Sequence, residues 1–232
     1  MGNDILNTLN IKFMNDEEIS ETVLRKLINK EKFLFIFLNI EIFYKILTDK
    51  EFKNSLKDFT IIVSSKFVGF IISKLEHLRN YHITKESSCI FRILKSISDY
   101  HYRIFVIEKS SKVVSRFKKN IYSSINSSSL NIIGTYNTWN KKNRMQKIET
   151  LKKMEPDITI VGSDITKFIK IFKKDEKLLK NFSFIFSNSG LKVISGVSRN
   201  SLTRSVKTFF EAVIIFFWFL LQKISEIRRK LW

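Results

Sequence analysis

Residues 103–133 read RIFVIEKSSKVVSRFKKNIYSSINSSSLNII, and this stretch decides the fold. Five mostly apolar residues, Arg103 to Ile107, form a run too short for a buried helix and rich in β-branched side chains. They read as a strand buried on both faces. In residues 112–123, Val113, Val114, Phe117 and Ile121 recur at helical spacing between lysines, which predicts an amphipathic helix. A short Ser/Asn loop follows, and residues 130–133 are apolar again. Strand, helix and strand in this order make a right-handed βαβ unit with parallel strands.

The same alternation runs outward in both directions. Towards the N-terminus, residues 33–38 and 60–63 read as strands, and 16–30, 67–78 and 87–98 as helices. Residues 41–56 read as helical with a break near Asp49, and 5–13 as extended. Towards the C-terminus come a helix over 141–154, a strand over 158–161, a helix over 166–180, a strand over 182–186 and a short strand over 192–195. The expected fold is α/β: a Rossmann-like, mostly parallel sheet flanked by helices over residues 1–200, with a helical membrane-docking appendage over 201–232.

Composition bounds the function. The 232 residues are 44% apolar and 27% charged, enough to bury a core and too polar for a wholly membrane-embedded chain. The formal net charge of +19 favours anionic partners, although a Lys-, Ile- and Asn-rich chain with one proline also reflects compositional drift. The lysines are spread along the chain without a zinc-finger spacing, an RNP-like motif or an Arg-rich arm, which argues against nucleic acid. Cys89 is the single cysteine and lies in an apolar stretch, so no intrachain disulfide forms and a cytoplasmic location is expected. With only His77, His82 and His101 beside it, no metal-ligand spacing arises, and neither a metal nor a cofactor is expected.

Residues 209–221 are nearly all apolar, interrupted by Glu211. The stretch falls short of the ~20 residues a span requires. Basic Lys223, Arg228, Arg229 and Lys230 follow among apolar residues, ending at Trp232. Apolar area beside cations suits an interfacial helix, with Phe217, Trp218, those four cations and Trp232 as membrane contacts. Packing on the domain or on a partner subunit is the alternative.

Taken in order, several segments resemble the WecG/TagA/CpsF glycosyltransferase family. They are Asp4-Ile5-Leu6, Asn39-Ile40-Glu41-Ile42, Ile61-Ile62-Val63-Ser64-Ser65, Arg103 to Ile107, Leu130 to Tyr136 and Glu155-Pro156-Asp157 through Gly162. No piece is specific alone; the ordered set is. The resemblance implies transfer of an amino sugar from a UDP-sugar to a lipid-linked acceptor at the inner face of the cell membrane. It places substrate-binding positions at Asn39, Gly134, Gly162, Asp164 and Arg199.

The departures fall on the chemistry. The family's threonine is Phe37 here, and its proposed general base, an aspartate, is Ser64, whose hydroxyl has no basic form near neutral pH. The Arg and Gly of its next loop fall near His82 and Lys85. Its glycine-rich turn is Glu108-Lys109, and its Gly-x-Pro-x-Gln-Glu run is Asp164 through Ile169. Asp58 and Asp164 are the nearby carboxylates that could be imagined as substitute bases.

Three readings follow. One is a catalytically impaired or inactive homologue in cell-surface polysaccharide or teichoic-acid-type synthesis, partnered with an active glycosyltransferase. The second is an active UDP-sugar-dependent enzyme with a rewired site. The third is a basic membrane-surface interaction protein unrelated to glycans. A polar pocket at the strand ends favours the second; a pocket filled by Phe37, Phe67 and Phe168 excludes it.

Overall fold

The computed structural model describes residues 8–125, 130–136, 144–174, 181–187, 189–197 and 202–230. Local signals set the first elements. The strand β1 (Asn10–Lys12) leads to α1 (Asp16–Ile28), which Asn15 opens with a reciprocal cap: its side chain accepts from the Glu17 and Glu18 amides while Glu18 reaches back to the Asn15 N–H. Acids in the first turn and Arg25 and Lys26 in the last complement the helix dipole. After β2 (Leu34–Leu38), Asp49 ends α2 (Ile40–Thr48) and caps α3 (Lys50–Ser55) by accepting the Phe52 N–H at 2.9 Å. The break expected near Asp49 is therefore a change of helix.

The chain continues through β3 (Thr60–Val63), α4 (Lys66–Leu75), α5 (Glu86–Ser96), β4 (Arg103–Ile107), α6 (Ser111–Ile125) and β5 (Asn131–Tyr136). Then come α7 (Arg144–Met154), β6 (Ile158–Val161), α8 (Ile165–Lys174), β7 (Phe184–Phe186), α9 (Gly190–Ile194) and α10 (Leu202–Lys230). One reading is corrected: the strand expected over 192–195 is the helical turn α9. The Gly190 N–H is shared between Glu86 and Ser187 Oγ, and the Val193 and Ser195 N–H groups donate to the Ser189 and Leu191 carbonyls, so these donors turn back along the chain and not to a neighbouring strand.

The seven strands form one sheet in the order β1-β3-β2-β7-β6-β4-β5, with every pairing parallel. Successive side chains enter opposite layers. Ile36, Leu38, Phe105, Ile107, Phe184 and Phe186 join the layer of α2, α3, α4, α7, α8 and α10. Phe35, Phe37, Ile104, Val106, Ile160 and Ile185 join that of α1, α5, α6 and α9. Burial on both faces explains why the strands read as unbroken apolar runs.

β4 is followed by α6 in one layer and β6 by α8 in the other. Those helices lead to strands on opposite sides, β5 and β7, so the winding reverses between adjacent β4 and β6. The carboxyl ends of such a pair splay their loops apart and leave a crevice.

α10 has 29 residues and is about 43 Å long at ~1.5 Å per residue. It is one continuous helix where the sequence suggests an apolar segment beside a basic one. Ile215 is fully buried, Trp218 and Phe219 pack on the core, and the Trp218 ring meets Phe43 of α2 edge-on at 6.1 Å. Its opposite face, with Phe209, Phe210, Ile214, Phe217, Leu221 and Ile224, is exposed.

Candidate functional site

The crevice between β4 and β6 is an open cleft of about 660 Å³. Glu108, Lys109 and Ser110 enter it from the end of β4, and Ser163 and Asp164 from the end of β6. Thr166 and Lys167 of α8 and Lys192 of α9 line its sides. Glu41 of α2 and Lys207 and Glu211 of α10 close its outer wall. The Lys109 N–H donates to Ser163 Oγ at 2.8 Å and so ties the two strand ends together.

Glu108 is 1% exposed. Its Oε1 accepts from the backbone N–H groups of Lys109 (2.9 Å) and Ser110 (3.4 Å), whereas buried Oε2 has no donor among the described residues. Gly162 makes room for this carboxylate: a Cβ there would lie 2.6 Å from Oε2 and 2.4 Å from Leu191. Asp164 takes a left-handed backbone, φ 50°, and its carbonyl accepts from the Phe168 N–H to start α8. The resemblance places a glycine at this position, and Asp is among the few other residues that tolerate the conformation.

A second polar cluster lies at the carboxyl ends of β2, β3 and β7. Its centre is Glu86, the first residue of α5 and 6% exposed. Oε1 accepts from Asn39 Nδ2 at 3.3 Å and, at the long limit of 3.5 Å, from Ser64 Oγ. Oε2 accepts from Ser187 Oγ at 2.7 Å and from the N–H groups of Ser189 and Gly190 at 2.8 and 3.3 Å. Five donors meet a group with about four lone-pair directions. The sequence reading starts this helix at Ser87 and passes over Glu86. Taken alone, an acid in a helix's first turn reads as dipole compensation, and only tertiary structure shows where its carboxylate goes.

Asn39 and Ser64 thus come together through Glu86, while Gly162 and Asp164 belong to the cleft. Asn39 also caps α2, accepting the Ile42 N–H at 3.1 Å. Phe37 is buried against the α1/α5 layer, on the opposite side of the sheet from Phe67 and Phe168. None of the three phenylalanines lines the cleft. Phe168 and Ile169 are core residues, the Phe168 ring 5.5 Å from those of Phe184 and Phe186. Gly134 pairs with Phe105 beside a bulge in β5, where a Cβ would lie 2.3 Å from the Phe105 ring. Asp58 forms a 3.0 Å ion pair with Lys173. Cys89 is buried beneath Asp16 and Glu86, and burial pushes its thiol pKa far up, leaving it inert. Arg199 and Trp232 lie outside the described residues; Lys223, Arg228, Arg229 and Lys230 fall on α10, with only their backbone described.

Where α10 meets the cleft, Glu211 is 6% exposed. Lys207, one turn earlier, approaches it at 3.5 Å and Glu41 of α2 at 4.0 Å. Burial raises the Glu211 pKa above the usual glutamate value; Lys207 opposes the shift and Glu41 adds to it. The folded state then holds this proton more tightly than the unfolded chain. The group's contribution to stability is greatest below the unfolded glutamate value and falls as pH rises through the folded one. Glu211→Gln is expected to raise the melting temperature at pH 7.5, with the gain shrinking towards pH 4. Melting curves at the two pH values check this, and an equal gain at both would contradict it.

An open parallel sheet wound on both faces, with a polar cleft where the winding reverses, defines a Rossmann-like α/β protein. The chain belongs to the WecG/TagA/CpsF glycosyltransferase family, whose model matches residues 4–201. No curated protein is a match for it.

Proposed function

We propose that this chain is a family member that has given up glycosyl transfer. It works as a peripheral protein at the inner face of the cell membrane, as partner of an active glycosyltransferase in cell-surface polysaccharide or teichoic-acid-type synthesis. One observation carries the first part: Ser64 stands where the resemblance places the general base, and the carboxylate that reaches it, Glu86, has both oxygens taken up by protein donors. A base must keep a lone pair for the acceptor hydroxyl within hydrogen-bond reach, and Glu86 keeps none. Membrane docking is supported by the outward apolar face of α10 and by the basic residues at its end.

The test is transfer from a UDP-amino sugar to a lipid-linked acceptor by the full-length protein in bilayer discs, with UDP and UDP-sugar binding followed by calorimetry. The expected result is no turnover. The polar cleft favours a second reading, an active transferase with a rewired site. Micromolar UDP-sugar binding, about −8 kcal/mol, together with turnover would establish that reading and overturn the first.

A further inference from the structure

Glu108 is the group the proposed function leaves unused. It is buried at the cleft, and one of its oxygens has no donor among the described residues. That oxygen is packed behind Gly162, and a carboxylate oxygen buried without a donor is costly; turning the carboxylate out into the cleft, where a ligand N–H can meet it, removes the cost. The cleft's charge narrows the ligand further. In a chain of net charge +19, four lysines and four carboxylates line it, so their sum is zero. A diphosphate brings only negative charge, and here it would meet a buried acid at the tip of β4. A ligand carrying both signs matches the lining. The cleft also receives the first turn of α8, with Ile165 and Thr166 among its lining residues, and helix N-termini favour a phosphate.

We propose that the cleft takes a zwitterionic phosphate ester bearing a primary ammonium group, with the ammonium on Glu108 and the phosphate held by the surrounding lysines and the start of α8. This rests on the reading that the cleft no longer serves a sugar nucleotide. The chemistry has two sources, a soluble phosphoamine or an ethanolamine phospholipid headgroup. The second has access because α10, whose far face is apolar and exposed, forms one wall of the cleft.

The experiment is calorimetry on the full-length protein with phosphoethanolamine, phosphocholine and inorganic phosphate, repeated on Glu108→Gln. Phosphocholine has the same charges but no N–H. Phosphoethanolamine is expected to bind about tenfold or more tightly than either control. Glu108→Gln is expected to remove that preference while melting no lower than the wild type, since it relieves a buried charge. A parallel arm compares vesicles of equal anionic content containing phosphatidylethanolamine or phosphatidylcholine. A gain on ethanolamine vesicles that Glu108→Gln removes assigns the lipid source; binding of the soluble ester without that gain assigns the soluble one.

Equal binding of phosphoethanolamine and phosphocholine overturns the proposal. So does an unchanged preference in Glu108→Gln, or no binding in either arm at millimolar ligand. UDP-sugar turnover instead overturns the non-catalytic reading, so the two failures are distinct.

Discussion

Replacing Phe210, Phe217 and Leu221 together with serine is expected to release the protein from anionic vesicles while leaving the fold intact. The three side chains are 61%, 61% and 65% exposed and share one stripe of α10, opposite the seam that Ile215 and Trp218 make with α2. Their removal therefore costs the folded domain little. Fully burying a large apolar side chain is worth ~1.5–3 kcal/mol. Side chains that enter only the headgroup boundary recover part of this, about 1 kcal/mol each. The triple substitution then loses about 3 kcal/mol, on the order of 100-fold in partition. Cosedimentation with vesicles of defined anionic content measures it, and added salt should weaken what remains, because the residual binding is electrostatic. Unchanged cosedimentation would show that the stripe does not meet the bilayer.

The second large effect is on stability. Glu86→Ala leaves Ser187 Oγ, the Ser189 and Gly190 amides, Asn39 Nδ2 and Ser64 Oγ without their shared acceptor at a site where Glu86, Ser187 and Gly190 are buried and the others half-buried. Hydrogen bonds to a charged group are worth ~1.5–3 kcal/mol each, and water entering the vacated space recovers part of the total. A net loss of about 3 kcal/mol is expected, or about 6–12 °C in melting temperature for a domain of this size. Glu86→Gln should rescue little. Both oxygens accept in the native arrangement, so either orientation of the amide turns its NH₂ towards donors. Melting curves of the two variants decide the matter: a loss below about 1 kcal/mol in Glu86→Ala would mean that this carboxylate does not hold the strand ends together.

The fold was largely legible because each strand carries its own signal. Residues 103–107 and 158–161 are apolar at every or nearly every position and bounded by polar residues, and the structure gives β4 and β6 these same limits. Residues 192–195 were misleading because β-branched Val193 and Ile194 sit in a run too short to show a helical period. They close into a helical turn through Val193 and Ser195 N–H bonds to the Ser189 and Leu191 carbonyls, and the Gly190 N–H at its start donates to Glu86, 104 residues away in sequence. The site was legible only in halves. Asp164 and Gly162 could be placed from the strand they adjoin. The convergence of Asn39, Ser64 and Ser187 on Glu86 depends on β2, β3 and β7 becoming neighbours, which no local pattern encodes. Glu108 looked like a lost glycine turn, and its burial follows from the room left by Gly162 on the adjacent strand.

The seam between α10 and α2 bears on how the protein should be dissected. The family match ends at residue 201 and α10 begins at Leu202, which invites a cut at that point. Yet Phe43, fully buried, rests against Trp218, and Ile215 is sealed in the same core cluster. Removing α10 would leave that part of α2 wet and adhesive, and the shortened protein would tend to self-associate. A soluble form suited to calorimetry is better made by keeping the helix and rewriting only its outer stripe in polar residues. The exposed apolar stripe is then gone while α10 keeps its seat against α2.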